Sequence, residues 1–137
     1  MFLRMVKITR EARPNEACAY LFHDNKMIEP AKPSSKSVAH FEGIDQEWVY
    51  DLIQKNGTPT GLFHSHPCDA VPSHTDMQYM STTIPFWGCV WFIMSDKLKL
   101  RAWSIAFGSD EFTGKQLYFP KRGETIRPVE LEVKIYE

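Results

Sequence analysis

A histidine pair closed off by proline limits this chain more than any other feature. In Gly61-Leu62-Phe63-His64-Ser65-His66-Pro67 an apolar run leads into two histidines spaced i and i+2. On a strand those positions share a side, so both imidazoles can reach one ion. Pro67 cannot donate to a sheet ladder, and it stops the strand there. After five more residues comes Ser73-His74-Thr75-Asp76, which matches a capping box and so starts a helix. Two imidazoles and a carboxylate then sit at element ends. Neutral imidazoles with a carboxylate are the ligand set of catalytic zinc, which keeps an open fourth position.

Each half has a plainer reading. A lone His-x-His is commonly surface polarity, and Ser-x-x-Asp alone does no more than cap a helix. Together, at this spacing, they are far more specific than either. Chain length removes one rival, because barrel enzymes that carry His-x-His on a strand need about 250 residues and this chain has 137. No His-Glu-x-x-His helix is present.

The surrounding pattern predicts an α/β domain with a mixed, mostly antiparallel sheet flanked by helices, read as one domain over 1–137. Phe2 to Arg13 carries Leu3, Val6 and Arg10 at helical spacing, and Pro14 ends it. Ala17 to Phe22 is an apolar run that reads as a buried strand. Asp24-Asn25 favours a turn, with a return strand over Lys26 to Glu29. Pro30 to Lys36 is a loop, and Val38 to Phe41 a short strand. Asp45 to Asn56 reads as a helix capped by Asp45, with Trp48, Val49, Leu52 and Ile53 on one face and Asn56-Gly57 at its end. A helix over Ser73 to Met80 follows the histidine strand. Gly88 to Met94 reads as a central strand, Lys97 to Ala106 as its hairpin partner across Ser95-Asp96, and Val129 to Tyr136 as a late strand.

Composition narrows the function. The net charge of -1 leaves no electrostatic footprint for nucleic acid. No apolar run approaches the roughly 20 residues that span a bilayer, and the first residues mix charges with apolar side chains, so the expected location is cytoplasmic. The three cysteines, Cys18, Cys68 and Cys89, form no disulfide framework and no CxxC pair.

The segment from His64 to Asp76 resembles the signature of the JAMM (MPN-plus, JAB-type) metalloproteases: His-[Ser/Thr]-His-Pro followed by Ser-x-x-Asp. His64, Ser65, His66, Pro67, Ser73 and Asp76 fit it. Pro14-Asn15-Glu16-Ala17-Cys18 resembles the family's upstream glutamate before a buried strand, with Glu11 as the nearby rival. The resemblance covers residues 5 to 106 and is closest to the prokaryotic, single-domain branch, whose members process small β-grasp modifiers and sulfur-carrier proteins. It implies a JAB/MPN-like, cytidine-deaminase-like fold and hydrolysis of a peptide or isopeptide bond. It implies Zn2+ held by His64, His66 and Asp76, with Glu16 as general base and later proton donor to the leaving amine. Ser73 would donate a hydrogen bond to the developing oxyanion. The implied substrate is the Gly-Gly tail of a ubiquitin-like or sulfur-carrier β-grasp protein. Two alternatives stay open: a scaffold of the same fold without catalysis, and a peptidase for a phage-tail or cell-wall substrate.

Other residues read more plainly. Cys68 is a loop cysteine near the site. His74 points away from Ser73 and Asp76, and His23 and His40 have no partner spacing. Trp87, Trp91 and Trp103 belong to the core or a sheet face, and one of them could line a peptide groove.

Overall fold

A computed structural model describes residues 1–31, 45–107, 110–111 and 126–134. Among the described residues, seven strands join in one sheet: β1 (Cys18–Phe22), β2 (Met27–Pro30), β3 (Gly61–Ser65), β4 (Val90–Met94), β5 (Leu100–Phe107), β6 (Asp110–Glu111) and β7 (Ile126–Leu131). The order runs β2-β1-β3-β4-β5. β7 lies along the far edge of β5, and the short β6 pairs with the end of β5 on the side of β4. Only β3 and β4 are parallel; the other pairings are antiparallel. The sheet is therefore mixed and mostly antiparallel, as the sequence predicts.

A parallel pair needs a crossover, and helix α3 (His74–Trp87) supplies it between β3 and β4. Helix α2 (Gln46–Asn56) packs on the same face as α3. There Val49, Met80 and Ile84 meet Tyr20, Leu62, Trp91 and Trp103. Helix α1 (Phe2–Ala12) covers the opposite face through Met5, against Ala19, Leu21, Phe63 and Met94. With both faces covered, β1 is buried at every position, which is why its sequence is a continuous apolar run. Even-numbered residues of β1 and β3 face α2 and α3; odd-numbered ones face α1. His64 therefore looks toward the helix that begins at residue 74.

Local chemistry explains the element ends. Asp45 caps α2 by accepting from the main-chain N–H of Glu47 and Trp48, at 3.0 and 3.3 Å. Gly57, with φ 83°, closes the helix by donating to the Ile53 carbonyl. His23, Asp24 and Asn25 all take positive φ in the turn between β1 and β2, a region where His, Asp and Asn are better tolerated than other side chains. Among the described residues, no helix is long and apolar enough to cross a membrane.

Several expected bounds move. The face that α1 buries is built on Met5 and Thr9, not on Leu3, which is exposed. α3 continues past Met80 to Trp87, because Ile84 extends its buried face and Pro85 falls in the last turn, where few further bonds depend on it. Gly88 then takes the left-handed cap (φ 67°), so β4 starts at Val90. The hairpin turn is wider than Ser95-Asp96: the Ser95 hydroxyl accepts from Lys97 and Lys99, and β5 starts at Leu100. The last strand is Ile126–Leu131, not Val129 to Tyr136, because its ladder follows the buried stretch Ala102 to Phe107 of β5. The strand expected over Val38 to Phe41, His40 and most of the Pro30 to Lys36 loop lie outside the described residues.

Gly61 sets how closely β3 sits among its neighbours. A Cβ there would come within 2.7 Å of Asn25 Oδ1, 3.0 Å of Phe92 Cε2 and 3.3 Å of Leu21 Cβ. Phe92 and Leu21 flank it from both adjoining strands and have little room to yield. Gly61→Ala is expected to destabilise the protein by about 1–3 kcal/mol, as overpacking does. Urea unfolding of chelator-treated protein measures this; an unchanged midpoint would show that the strands slide apart freely.

Candidate metal centre

Three strand and helix ends converge at the carboxyl end of β3. His64 lies at the end of the strand and His66 just beyond it; the two rings meet edge to face with centroids 4.9 Å apart. Asp76 comes from the first turn of α3. The ligand atoms of His64, His66 and Asp76 all lie within 4.8 Å of one another, and all three residues are buried. Buried imidazoles and a carboxylate aimed at one point are costly unless paired or used to hold a cation. The donor set therefore fits a metal ion.

Each ligand is held from behind. Asp76 Oδ2 accepts from the Ser73 main-chain N–H and lies beside His66 Nε2, both at 2.9 Å, while Oδ1 lies 3.8 Å from His64 Nε2. The Ser73 hydroxyl accepts from the Asp76 N–H at 3.1 Å, which completes the capping box. An accepting hydroxyl keeps its own proton to give elsewhere. His66 Nδ1 lies 3.1 Å from the Asp69 carbonyl, which places the ring proton on Nδ1 and leaves Nε2 to the cluster. The intervening loop is pinned twice more: the Trp103 indole donates to the Ala70 carbonyl at 2.9 Å, and the Asp96 N–H donates to the Cys68 carbonyl at 3.1 Å.

Glu16 joins the same cluster. The antiparallel register sets Cys18 opposite His64, so Glu16, two residues earlier, falls beside His66 on the same face. Its Oε2 stands 2.8 Å from His64 Nε2, and its side chain is 26% exposed. Glu11 does not reach the site; it lies on α1 beside Lys7 at 3.9 Å, two-thirds exposed. Of the two glutamates weighed from sequence, the fold brings only Glu16 to the histidines.

Sequence reading named two further residues without finding their supporting roles. Cys18 Sγ lies 3.3 Å from His64 Nδ1, and burial pushes its thiol pKa up, so it meets the ring as a neutral group. Ser65, on the other side of the strand from the histidines, accepts from the Ala17 N–H at 2.7 Å and ties the Glu16 segment to β3. The period-2 spacing of Glu16 and Cys18 was the available signal, but it acquires meaning only with the register. The remaining residues fall as expected. His74 is exposed beside Gln78, His23 contacts Asn56, and Cys68 is exposed. Trp91 and Trp103 are buried rather than groove-lining, and Trp87 packs edge-on against Tyr20.

These features define an α/β protein with a preformed metal-ligand cluster at a strand end. The chain belongs to the prokaryotic homologs of the JAB domain, a family that matches residues 1–106. That family includes hydrolases, and the cluster lies inside the matched span. No curated protein matches the chain.

Protonation and metal compete at His66. Burial lowers its pKa, but the hydrogen bond and charge of Asp76, with smaller help from Asp69 and Glu16, outweigh this and raise it above the ordinary 6.5. For Asp76, burial acts upward, but bonds from His66 and Ser73 and the nearby imidazoles hold it below 3.8. A metal ion must displace the His66 proton. The sign follows: metal affinity falls by at least about tenfold per pH unit below the raised His66 pKa, because both imidazoles must be neutral to bind, and levels off above it. Titrating chelator-treated protein with zinc from pH 5 to 8 should show one equivalent bound and this decline. Less than a tenth of an equivalent, or a flat profile, would contradict the assignment.

Proposed function

We propose that the chain is a zinc-dependent peptidase that cleaves after the C-terminal Gly-Gly of a ubiquitin-like or sulfur-carrier β-grasp protein. One observation carries the reading: a partly exposed carboxylate, Glu16, stands 2.8 Å from His64 Nε2, beside a buried His64-His66-Asp76 cluster that already supplies three ligands. Zinc held there would polarise the scissile carbonyl and lower the pKa of a water to about 7.

The chain's own groups divide the remaining work. Glu16 takes the proton of the attacking water and later gives it to the departing amine, because it touches the cluster while its exposure keeps it open to substrate. Ser73, exposed at the start of α3, donates its hydroxyl proton to the oxygen on which charge develops. The Asp69 carbonyl at His66 Nδ1 favours the tautomer that leaves Nε2 for the metal, so the ring is already oriented before the reaction. A scaffold of the same fold has no need of this full set, and its presence favours an enzyme. Diglycine suits the site because glycine brings a backbone close to buried ligands without a side chain to clash. Substrates of this kind place the protein in the cytoplasm.

The test is a series of β-grasp fusions incubated with zinc-loaded protein and read by intact mass. Cleavage is expected immediately after Gly-Gly, with a strong loss of rate when the second glycine becomes alanine. Equal rates for Gly-Gly and Ala-Ala, or cleavage elsewhere, would refute the specificity. Glu16→Gln should keep zinc and lose about 10²-fold or more in rate, while Glu11→Gln should behave as wild type. The reverse pattern would transfer the role to Glu11.

Ser73→Ala should separate two roles. Loss of the cap is expected to cost about 1 kcal/mol of stability, and loss of the oxyanion donor to lower kcat by about 10²-fold or more. Lowered stability with unchanged kcat would leave Ser73 as a cap alone.

A further inference from the structure

A cleft of about 500 Å³ opens directly on the site, and Glu16 and His66 form part of its wall. Ser73 and Asp76 are not among its lining residues. This asymmetry orients a substrate. Under the proposed hydrolysis, the group that protonates the leaving nitrogen has to touch it, so the leaving group belongs on the Glu16 side, inside the cleft. The acyl portion then extends toward Ser73.

Arg13, at the end of α1, gives this cleft a cationic group that can meet a carboxylate. It stands in a wall that also holds Pro14, Pro67 and, besides Glu16, the acidic residue Asp96. Arg13 Nη2 donates to the main-chain carbonyl of Asp96 at 2.8 Å, which anchors the guanidinium without neutralising it. Among the described residues, no carboxylate lies within ion-pair distance of Arg13. A guanidinium offers five N–H donors in a planar fork, and one bond to a carbonyl leaves the rest available. The volume lies within the roughly 300–1,000 Å³ range of small-molecule sites. It has room for an amino acid or a dipeptide.

The geometry points to Arg13 as the specificity residue for a free C-terminal carboxylate on the leaving group. The substrate class is then a modifier with a short linear extension of one or two residues beyond its Gly-Gly, rather than a modifier joined to a lysine side chain of another protein. This rests on the peptidase reading for the placement of the scissile bond. Water adds across the terminal amide: the carbonyl carbon gains the hydroxyl, the C–N bond breaks, and the nitrogen leaves as the amine of a small amino acid or peptide whose carboxylate stays on Arg13.

The test uses binding, so that it does not depend on turnover. Zinc-loaded Glu16→Gln protein is titrated calorimetrically with three peptides: Gly-Gly-Ala as the free acid, the same peptide as its C-terminal amide, and Gly-Gly linked to the side-chain nitrogen of a blocked lysine. The free acid is expected to bind about tenfold or more tightly than either of the others, as a charge-assisted bidentate contact would give. Adding Arg13→Gln should erase the difference, and Arg13→Lys should keep part of it. Equal affinities for acid and amide, no binding by any of the three, or a preference that survives Arg13→Gln would overturn the assignment. If Arg13→Gln does not fold for want of its bond to Asp96, the acid-to-amide comparison and Arg13→Lys still decide. Hydrolysis of the fusions is scored separately. A protein that prefers the acid through Arg13 and cleaves no fusion retains this site and loses the proposed activity.

Discussion

The register between β1 and β3 is the constraint on which the rest of the site depends. It sets Cys18 opposite His64, and the placement of Glu16 and Cys18 beside the candidate metal centre follows from that pairing. Glu16 comes to the histidines because it lies two residues before Cys18 on the same face. Ser65 holds the arrangement from the other side through the Ala17 N–H. A slip of one residue would turn Glu16 and Cys18 to the α1 face, since strand side chains alternate. The buried apolar residues on both faces of β1 make such a slip costly, because each belongs to a different core cluster.

The capping box at the start of α3 serves two ends with one pair of residues. The Ser73 and Asp76 side chains satisfy orphan N–H groups of the first turn, and the same Asp76 carboxylate joins His64 and His66. Helix placement and ligand placement are thus one decision. The loop that leads to it is fixed at Cys68, Asp69 and Ala70 by bonds to Asp96, His66 and Trp103. The ligands therefore rest on a strand end, a helix end and a pinned loop, which is the kind of support that keeps a site preorganised.

The two sides of the cluster differ in chemistry. Toward α3 lie the buried Asp76 carboxylate and the exposed Ser73 hydroxyl, joined in the capping box. Toward α1 lies a cleft lined by two acidic residues, Glu16 and Asp96, one guanidinium and two prolines. Under the proposed hydrolysis, the proton donor for one fragment and the oxyanion donor for the other would stand on opposite sides.

Much of the site was legible in the chain before any fold was known. His64, His66, Ser73 and Asp76 announce themselves because strand and helix periodicity act over a few residues, and Pro67 marks where one period gives way to another. The central strands and α2 were equally plain, since apolar runs and Asp45 and Gly57 are local signals. Element ends were less so: Leu3 lies on an exposed face, α3 runs past Met80, and β7 takes its bounds from β5. Those ends depend on what each element packs against. The resemblance already favoured Glu16 over Glu11, but only tertiary structure brought Glu16 to the histidines, placed Cys18 behind His64 and brought Arg13 to the wall of the Glu16 cleft. Sequence determines which side chains can share a face within one element. Strand pairing over 46 residues, as between Cys18 and His64, is a long-range contact that no local period encodes.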